Sequence, residues 1–318
     1  MTKTIYLTIF SFFFTCSPVI AYDHELAVCS MFQNEAPFLQ EWIEFYKLIG
    51  VQHFYLYNNN STDNYQTILE PYISNHEVDL IQWNHSNANL KAQAAAFNHC
   101  LNKVRGKVKW IAFLDLDEFL FPVEHDNLHN FLKDYEKYGA VCANWIMFGT
   151  SDIDEIPKNT LMIESLTMRD QSVNKHVKSI VQPEKVRAVN SHAPTAFYSN
   201  FFQVTPNKVQ FSGPFSPELN IDKLRINHYW TRDKKWLREI KIPRVEALKE
   251  NLMAGDDTSW YLPCIQARSL TPTDWTLKIA NCMNQKEDLT IQRFVEPLKK
   301  NIKIKYNNKK GEKVLNNK

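Results

Sequence analysis

Between residues 25 and 148, short apolar runs alternate with amphipathic stretches, and this alternation constrains the fold more than any other feature of the chain. Glu25 to Phe32 reads as a buried strand. The next segment, Glu35-Ala-Pro-Phe-Leu-Gln-Glu-Trp-Ile-Glu-Phe-Tyr-Lys-Leu-Ile-Gly50, reads as an amphipathic helix. Pro37 suits its first turn, Phe38, Trp42, Phe45 and Ile49 follow helical spacing, and Gly50 ends it. Gln52 to Tyr57 predicts a second strand, running into the turn-rich Asn58-Asn-Asn-Ser-Thr-Asp63 and a helix through Tyr72. Glu77 to Trp83, Lys109 to Leu114 and Ala140 to Phe148 read as further strands, with helices around Ala92 to Val104 and Asn127 to Tyr138. Strands alternating with helices imply an α/β fold with a mostly parallel sheet flanked by helices, which binds its ligands at the carboxyl ends of the strands. Glu35, Asn58 and Asp115 each follow such an end, so three polar clusters are expected on one rim.

The sharpest of these clusters is Trp110-Ile-Ala-Phe-Leu-Asp115-Leu-Asp117-Glu118-Phe119, an apolar strand ending in three carboxylates. Unpaired charges at the edge of a buried sheet cost several kcal/mol, so a cation or a basic partner is expected there. Rich in oxygen, without Cys and poor in His, the cluster suits Mg²⁺ or Mn²⁺ better than zinc. An Asp-x-Asp past a strand end is what a diphosphate-handling enzyme needs, because the carboxylates hold a metal and the metal holds phosphates. The plain alternative is an acidic loop capping a helix.

Outside this core, Lys3 precedes an apolar stretch from Ile5 to Ala21 that ends in Ser-Pro-Val-Ile-Ala21. Residues 1–21 are therefore expected to be a cleaved signal peptide, with a short anchor as the alternative, and the protein to be secreted or to reach a secretory-pathway lumen. A net charge of +2 argues against a nucleic-acid partner. Basic residues collect in 299–318, expected to be a flexible tail, with weak contact to an anionic membrane surface as the alternative. No CxxC pair exists, which disfavours a zinc site. Cys29 and Cys142 read as buried small residues, while Cys264 and Cys282 are able to pair in an oxidising compartment.

An ordered set of segments resembles a known family. Its members are Cys29-Ser-Met-Phe-Gln-Asn-Glu35, Phe38-Leu-Gln-Glu-Trp42, Gly50-Val-Gln-His-Phe-Tyr-Leu-Tyr-Asn58, Phe113-Leu-Asp-Leu-Asp-Glu-Phe119, Trp145-Ile-Met-Phe-Gly149-Thr-Ser151, Lys175-His-Val-Lys-Ser-Ile-Val-Gln-Pro183 and Asn227-His-Tyr-Trp-Thr-Arg232. Together they resemble a GT-A type glycosyltransferase, glycosyltransferase family 92 and its galactosyltransferase-like relatives, over roughly residues 25 to 240. The resemblance implies a GT-A-like domain over 22–298 with a C-terminal mixed extension. It also implies metal-dependent, inverting transfer of a sugar, typically galactose, from a UDP-sugar donor to a glycan hydroxyl. On that reading Asp115, Asp117 and His228 hold Mn²⁺ or Mg²⁺, and Glu35, Asn58 and Lys178 contact the donor. Two departures fall near the presumed acceptor side: Thr150-Ser-Asp152 stands where a second small Ser and a Gly are expected, and Asp233 where Ser is frequent.

An inverting displacement needs a base at the acceptor hydroxyl. Asp152, Asp154 and Glu155, after the Phe148-Gly149 turn, and Asp256 and Asp257, after Gly255, are candidates between which the sequence does not choose. A catalytically silent glycan-binding protein on the same fold is the alternative function. The retained pair Asp115 and Asp117 counts against it.

Overall fold

The computed structural model describes residues 21–85, 90–247 and 272–302. Its strands are β1 (His24–Phe32), β2 (His53–Asn58), β3 (Val78–Gln82), β4 (Val108–Phe113), β5 (Glu118–Pro122), β6 (Ala140–Met147), β7 (Met168–Arg169), β8 (Val177–Val181), β9 (Val186–Val189), β10 (Pro194–Phe197), β11 (Gln203–Val204), β12 (Gln210–Phe211), β13 (Leu224–His228) and β14 (Lys286–Glu287). Its helices are α1 (Ala36–Leu48), α2 (Tyr65–Ser74), α3 (Leu90–Lys103), α4 (Leu128–Leu132), α5 (Met162–Ser165), α6 (Lys234–Trp236), α7 (Ile242–Ala247) and α8 (Pro272–Cys282). A π-helical turn, Leu237–Lys241, joins α6 to α7.

The main sheet runs β12-β11-β6-β8-β4-β1-β2-β3, with β13 pairing both β6 and β5. Strands β4, β1, β2 and β3 are parallel, with Val28 opposite Phe54 on one side and Ala112 on the other. Strand β8 enters antiparallel between β4 and β6, so its first residues lie at the same edge as the carboxyl ends of its neighbours. This is the mostly parallel sheet flanked by helices that the strand and helix alternation predicts.

Both faces of the parallel part are covered, which is why its strands read as nearly continuous apolar runs. Leu26 and Val28 join the core under α1 and α2, whereas Ala27 and Cys29 join a second core with Phe97, Cys100 and Leu101 of α3. Helix α1 places Trp42 and Tyr46 so that the indole N–H and the phenol O–H both donate to the Glu118 carbonyl, at 3.0 and 2.9 Å. The Tyr46 oxygen in turn accepts from the Leu120 N–H at 2.8 Å. Side chains of α1 thus satisfy polar backbone groups of β5 that no neighbouring strand reaches, while β13 takes its other edge.

Four details differ from the sequence expectations. Strand β5 was not anticipated, because Glu118 heads it and hides it behind the acidic run. The helix expected over Asn127 to Tyr138 is α4 followed by a 3₁₀ turn, Lys133–Tyr135. The first residues of the basic segment are helical: a further helix spans 295–302, and Lys299 bonds Glu164 at 2.5 Å. Cys282 is a free, partly exposed thiol, and Cys264 lies outside the described residues. Cys29 and Cys142 are buried as read from their apolar runs.

The extension after β13 packs back on the domain through β14, which pairs with β7. Asp288 clamps it: one carboxylate oxygen accepts from Arg169 Nε at 2.8 Å and Arg225 Nη2 at 2.9 Å. Gly149 is where the extension comes closest. A Cβ there would lie 2.3 Å from Asn284 Oδ1 and 2.8 Å from the Met283 backbone, so only glycine fits. None of the helices among the described residues is long and apolar enough to cross a membrane. The stretch from Ile5 to Ile20 lies outside them.

Candidate active site

The site begins where β1, β4, β6 and β13 end on one edge of the sheet. After β4 the chain turns through Asp115-Leu-Asp117 and reverses into β5, which pairs antiparallel with β13 so that Glu118 faces His228. The Tyr229 N–H donates to the Asp117 carbonyl at 2.7 Å, fixing the turn against the end of β13. This places Asp117 Oδ1 3.3 Å from His228 Nε2, and Asp117 Oδ2 3.6 Å from Lys241 Nζ. Burial by itself pushes the Asp117 carboxyl up, but His228 and Lys241 beside it override that and hold it well below the usual carboxylate range. Trp145 meets the His228 ring edge to face at 4.6 Å. His228 Nδ1 is buried without a hydrogen-bond partner, so packing orients the imidazole.

Asp115 does not join this pair. One of its oxygens accepts from Lys178 Nζ at 2.9 Å and the other from the Gln93 amide. Lys178 rises from β8, is buried, and also lies 3.7 Å from Glu118 Oε2. Burial alone would lower its pKa, yet Asp115 and Glu118 more than offset it and the pKa is raised. Glu118 is fully buried and its carboxyl is pushed well above the ordinary range by that burial, with Lys178 opposing. The basic partner expected for the acidic run therefore exists, and it is threefold: Lys178 for Asp115 and Glu118, His228 and Lys241 for Asp117. Among the described residues no cluster of three or more His, Cys, Asp or Glu side chains is assembled around one point.

Asp117 and His228 fit a divalent ion by another criterion. A carboxylate oxygen and an imidazole nitrogen form a donor set that Mn²⁺ accepts. Two atoms each about 2.1 Å from a shared octahedral ion lie about 3 Å apart, close to the observed spacing. The half-buried Asp117 carboxylate, its pKa lowered by its basic neighbours, would supply the charge.

Glu35 and Asn58 stand at the ends of the adjacent strands, as expected, with their polar groups already engaged. Glu35 Oε2 lies 2.5 Å from Arg232 Nη1, and Oε1 lies 3.1 Å from Arg244 Nη1. The Asn58 amide donates to Tyr65 Oη at 3.0 Å and Gln82 Oε1 at 2.7 Å, and its carbonyl accepts from the Ser61 N–H at 3.0 Å. Asn58 thus folds the loop that follows β2. Asn34, at φ 55°, completes that loop by accepting from the Thr62 N–H at 2.7 Å.

Asp152 and Asp154 lie on the exposed loop after β6, and Asp256 lies outside the described residues. Asp152 pairs with Lys234 at 3.2 Å. Ser151 and Asp152 have φ of 49° and 59°, the left-handed conformation that a glycine adopts without strain. The departure from the family pattern at this loop therefore carries a backbone cost. The second departure does not, because Asp233 caps α6 by accepting from the Trp236 N–H at 2.7 Å and ties down Ile156 N–H at 2.9 Å, both serving folding.

The residues that sequence reasoning missed are Arg232, Lys241 and Arg244. Arg232 is buried at φ 52°, its guanidinium 3.8 Å from the Phe38 ring and 4.5 Å from the Trp236 ring. Lys241 lies over Trp230 at 4.5 Å. The available signal was the interleaving of Trp230, Arg232, Trp236, Lys241 and Arg244 within one short stretch.

A mostly parallel sheet with an ionised carboxylate and an imidazole facing each other at its carboxyl edge defines a protein built to handle a small charged ligand there. The model of Glycosyltransferase family 92 matches residues 23–253, and the chain belongs to that family. It is 28% identical over 291 residues to a glycosyltransferase family 92 protein of Ricinus communis, covering 86% of this chain and 48% of the relative. It is 30% identical over 118 residues to a beta-1,4-galactosyltransferase of Caenorhabditis elegans, covering 32% of this chain and 26% of the relative. A galactan beta-1,4-galactosyltransferase of Arabidopsis thaliana is 24% identical over 204 residues, covering 60% of this chain and 40% of the relative. The chain thus spans about half the length of these relatives, or less.

Proposed function

We propose that this protein transfers a sugar, galactose by preference, from a UDP-sugar to a glycan hydroxyl with inversion, using Mn²⁺ or Mg²⁺. The observation that carries the reading is the pair of the half-buried Asp117 and the buried His228, set 3.3 Å apart at the carboxyl edge of the sheet. A divalent ion bound there supplies Lewis-acid charge to the departing diphosphate. Asp117 and His228 would hold it, with Asp115 kept apart by Lys178 and serving to position the turn. The choice of galactose rests on the family resemblance and on two similar proteins named as beta-1,4-galactosyltransferases.

For the acceptor proton the reading takes Asp152. It stands on the exposed loop that follows β6, the strand beside β13 that carries His228, in a strained backbone conformation of the kind functional sites retain. A carboxylate there accepts the hydroxyl proton as the acceptor oxygen attacks the anomeric carbon from the face opposite the leaving diphosphate. Translocation out of the cytosol is part of the proposal and rests on Lys3 and the apolar stretch from Ile5 to Ala21.

The test is release of UDP from UDP-galactose, UDP-glucose and UDP-N-acetylglucosamine, with Mn²⁺ present or chelated, and with a panel of β-linked galactan and N-glycan acceptors. Metal-dependent release favouring UDP-galactose is expected. Release that is indifferent to chelation would overturn the assignment of Asp117 and His228.

A further inference from the structure

Three cations on the segment after β13 converge on two acids of the rim. Arg232 and Arg244 meet Glu35 at 2.5 and 3.1 Å, and Lys241 meets Asp117 at 3.6 Å. The segment is arranged to deliver them. Pro243 has no N–H for the helix ladder and crowds the carbonyl four residues earlier, and the chain passes through the π-helical turn Leu237–Lys241 just before it. Lys241 and Arg244, three residues apart, both reach the rim. Arg244 Nη2 also donates to the Gln33 carbonyl at 2.7 Å, tying α7 to the end of β1.

The arrangement is costly unless it serves a ligand. The Lys241 side chain is only 17% exposed, and Arg232 is 1% exposed in a left-handed backbone conformation with its Nε lacking any hydrogen-bond partner. A buried donor left unsatisfied costs about 1–3 kcal/mol. Glu35 alone is met by two guanidinium groups, more positive charge than one carboxylate balances. Lys178, by contrast, is committed to Asp115 and Glu118 deep in the sheet.

We propose that Lys241, with Arg232 and Arg244 beside it, binds the diphosphate of the donor, and that in the free protein the Lys241 ammonium stands in on Asp117 for the divalent ion. The inference rests on the proposed function and deepens it. Asp117 and His228 would hold the metal, and the Lys241 ammonium, now 3.6 Å from Asp117 Oδ2, would then turn from the carboxylate to the phosphate oxygens. Donor and metal then exchange partners with Lys241 rather than entering an empty site. Arg232 and Arg244, held by Glu35, add positive charge beside the lysine.

Opposite signs test this. Calorimetric titrations of the full-length protein with Mn²⁺ alone, with UDP in the presence of Mn²⁺, and with uridine are compared for wild type, Lys241→Met and Lys241→Gln. The second variant keeps a polar tip over Trp230 in case the first folds poorly. Removing the ammonium should tighten Mn²⁺ binding to the free protein several-fold. It should weaken UDP binding about ten- to a hundred-fold, the loss of one charge-assisted contact, and leave uridine unchanged. A lysine that only buttresses the fold predicts weaker binding of Mn²⁺ and UDP together, and that result overturns the inference. So does a variant that binds UDP as well as wild type. If wild type itself binds UDP no better than uridine and no Mn²⁺, the proposed function falls and this inference with it.

Discussion

Replacing Asp288 by Asn isolates the clamp that holds the C-terminal extension, and the structure sets the expected size of the loss. The carboxylate accepts from Arg169 and Arg225 through one oxygen and from the Thr290 N–H through the other at 3.0 Å. Its side chain is 7% exposed, and the two arginine side chains are 7% and 4% exposed, so solvent cannot take over. Each guanidinium keeps only neutral acceptors, Arg169 the Asp170 and Gln171 carbonyls at 2.6 and 3.2 Å, and Arg225 the Asn227 side chain at 2.9 Å and the Thr290 hydroxyl at 3.3 Å. Breaking one partner out of such a buried set costs about 3–5 kcal/mol, because the remaining charges stay desolvated. Urea unfolding at pH 7 should therefore show a drop of that order for Asp288→Asn, and under 0.5 kcal/mol or so for the exposed neighbour Glu287→Gln. The acid limb gives a second reading. Burial pushes the Asp288 carboxyl up, but Arg225 and the Thr290 hydrogen bonds bring it down to about 2. A folded value below the unfolded one of about 3.9 stabilises the protein above pH 4, and this contribution of about 2–3 kcal/mol fades as pH falls toward 2. The variant should lack that part of the acid limb. A neutral-pH loss below about 1 kcal/mol, with an acid limb like wild type, would refute the claim that the triad is a desolvated unit.

Asp117→Asn should abolish metal-dependent UDP release. It should also lower the melting temperature measurably, because Lys241 loses its buried counter-charge; an active variant would remove Asp117 from the metal site. Asp152→Gly relieves a left-handed non-glycine residue, so differential scanning calorimetry should find the protein as stable or about 0.5–1 kcal/mol more stable, while turnover collapses if Asp152 is the base. A stable variant with full turnover would pass that role to another acid. N-terminal sequencing of native material should find a mature chain beginning at or near Tyr22 outside the cytosol; an intact Met1 or Thr2 in a soluble cytosolic fraction would contradict the signal-peptide reading.

What was legible in the chain followed from short-range pattern. Apolar runs covered on both faces announced β1, β2 and β4, and the spacing of Phe38, Trp42 and Phe45 announced α1, because each of these signals lies within one element. The acidic run demanded a basic partner on electrostatic grounds alone, and partners are there. Their identity was not legible, since Lys178 lies 63 residues beyond Asp115, and Arg244 lies 209 residues beyond Glu35. Residue type made Lys178 look like a phosphate ligand, and the structure pairs its ammonium with Asp115 from within β8. Nor does sequence reveal that β5 reverses after Asp117 to pair with β13, the pairing that brings Asp117 and His228 together. The sheet therefore does two different things with one acidic run: Glu118 is drawn inside and Asp115 is neutralised by a buried lysine, while Asp117 keeps its charge beside an imidazole and a displaceable ammonium. On the proposed reading a divalent ion at Asp117 and His228 would have to displace that ammonium, so the free protein should bind Mn²⁺ more weakly than its Lys241→Met variant does.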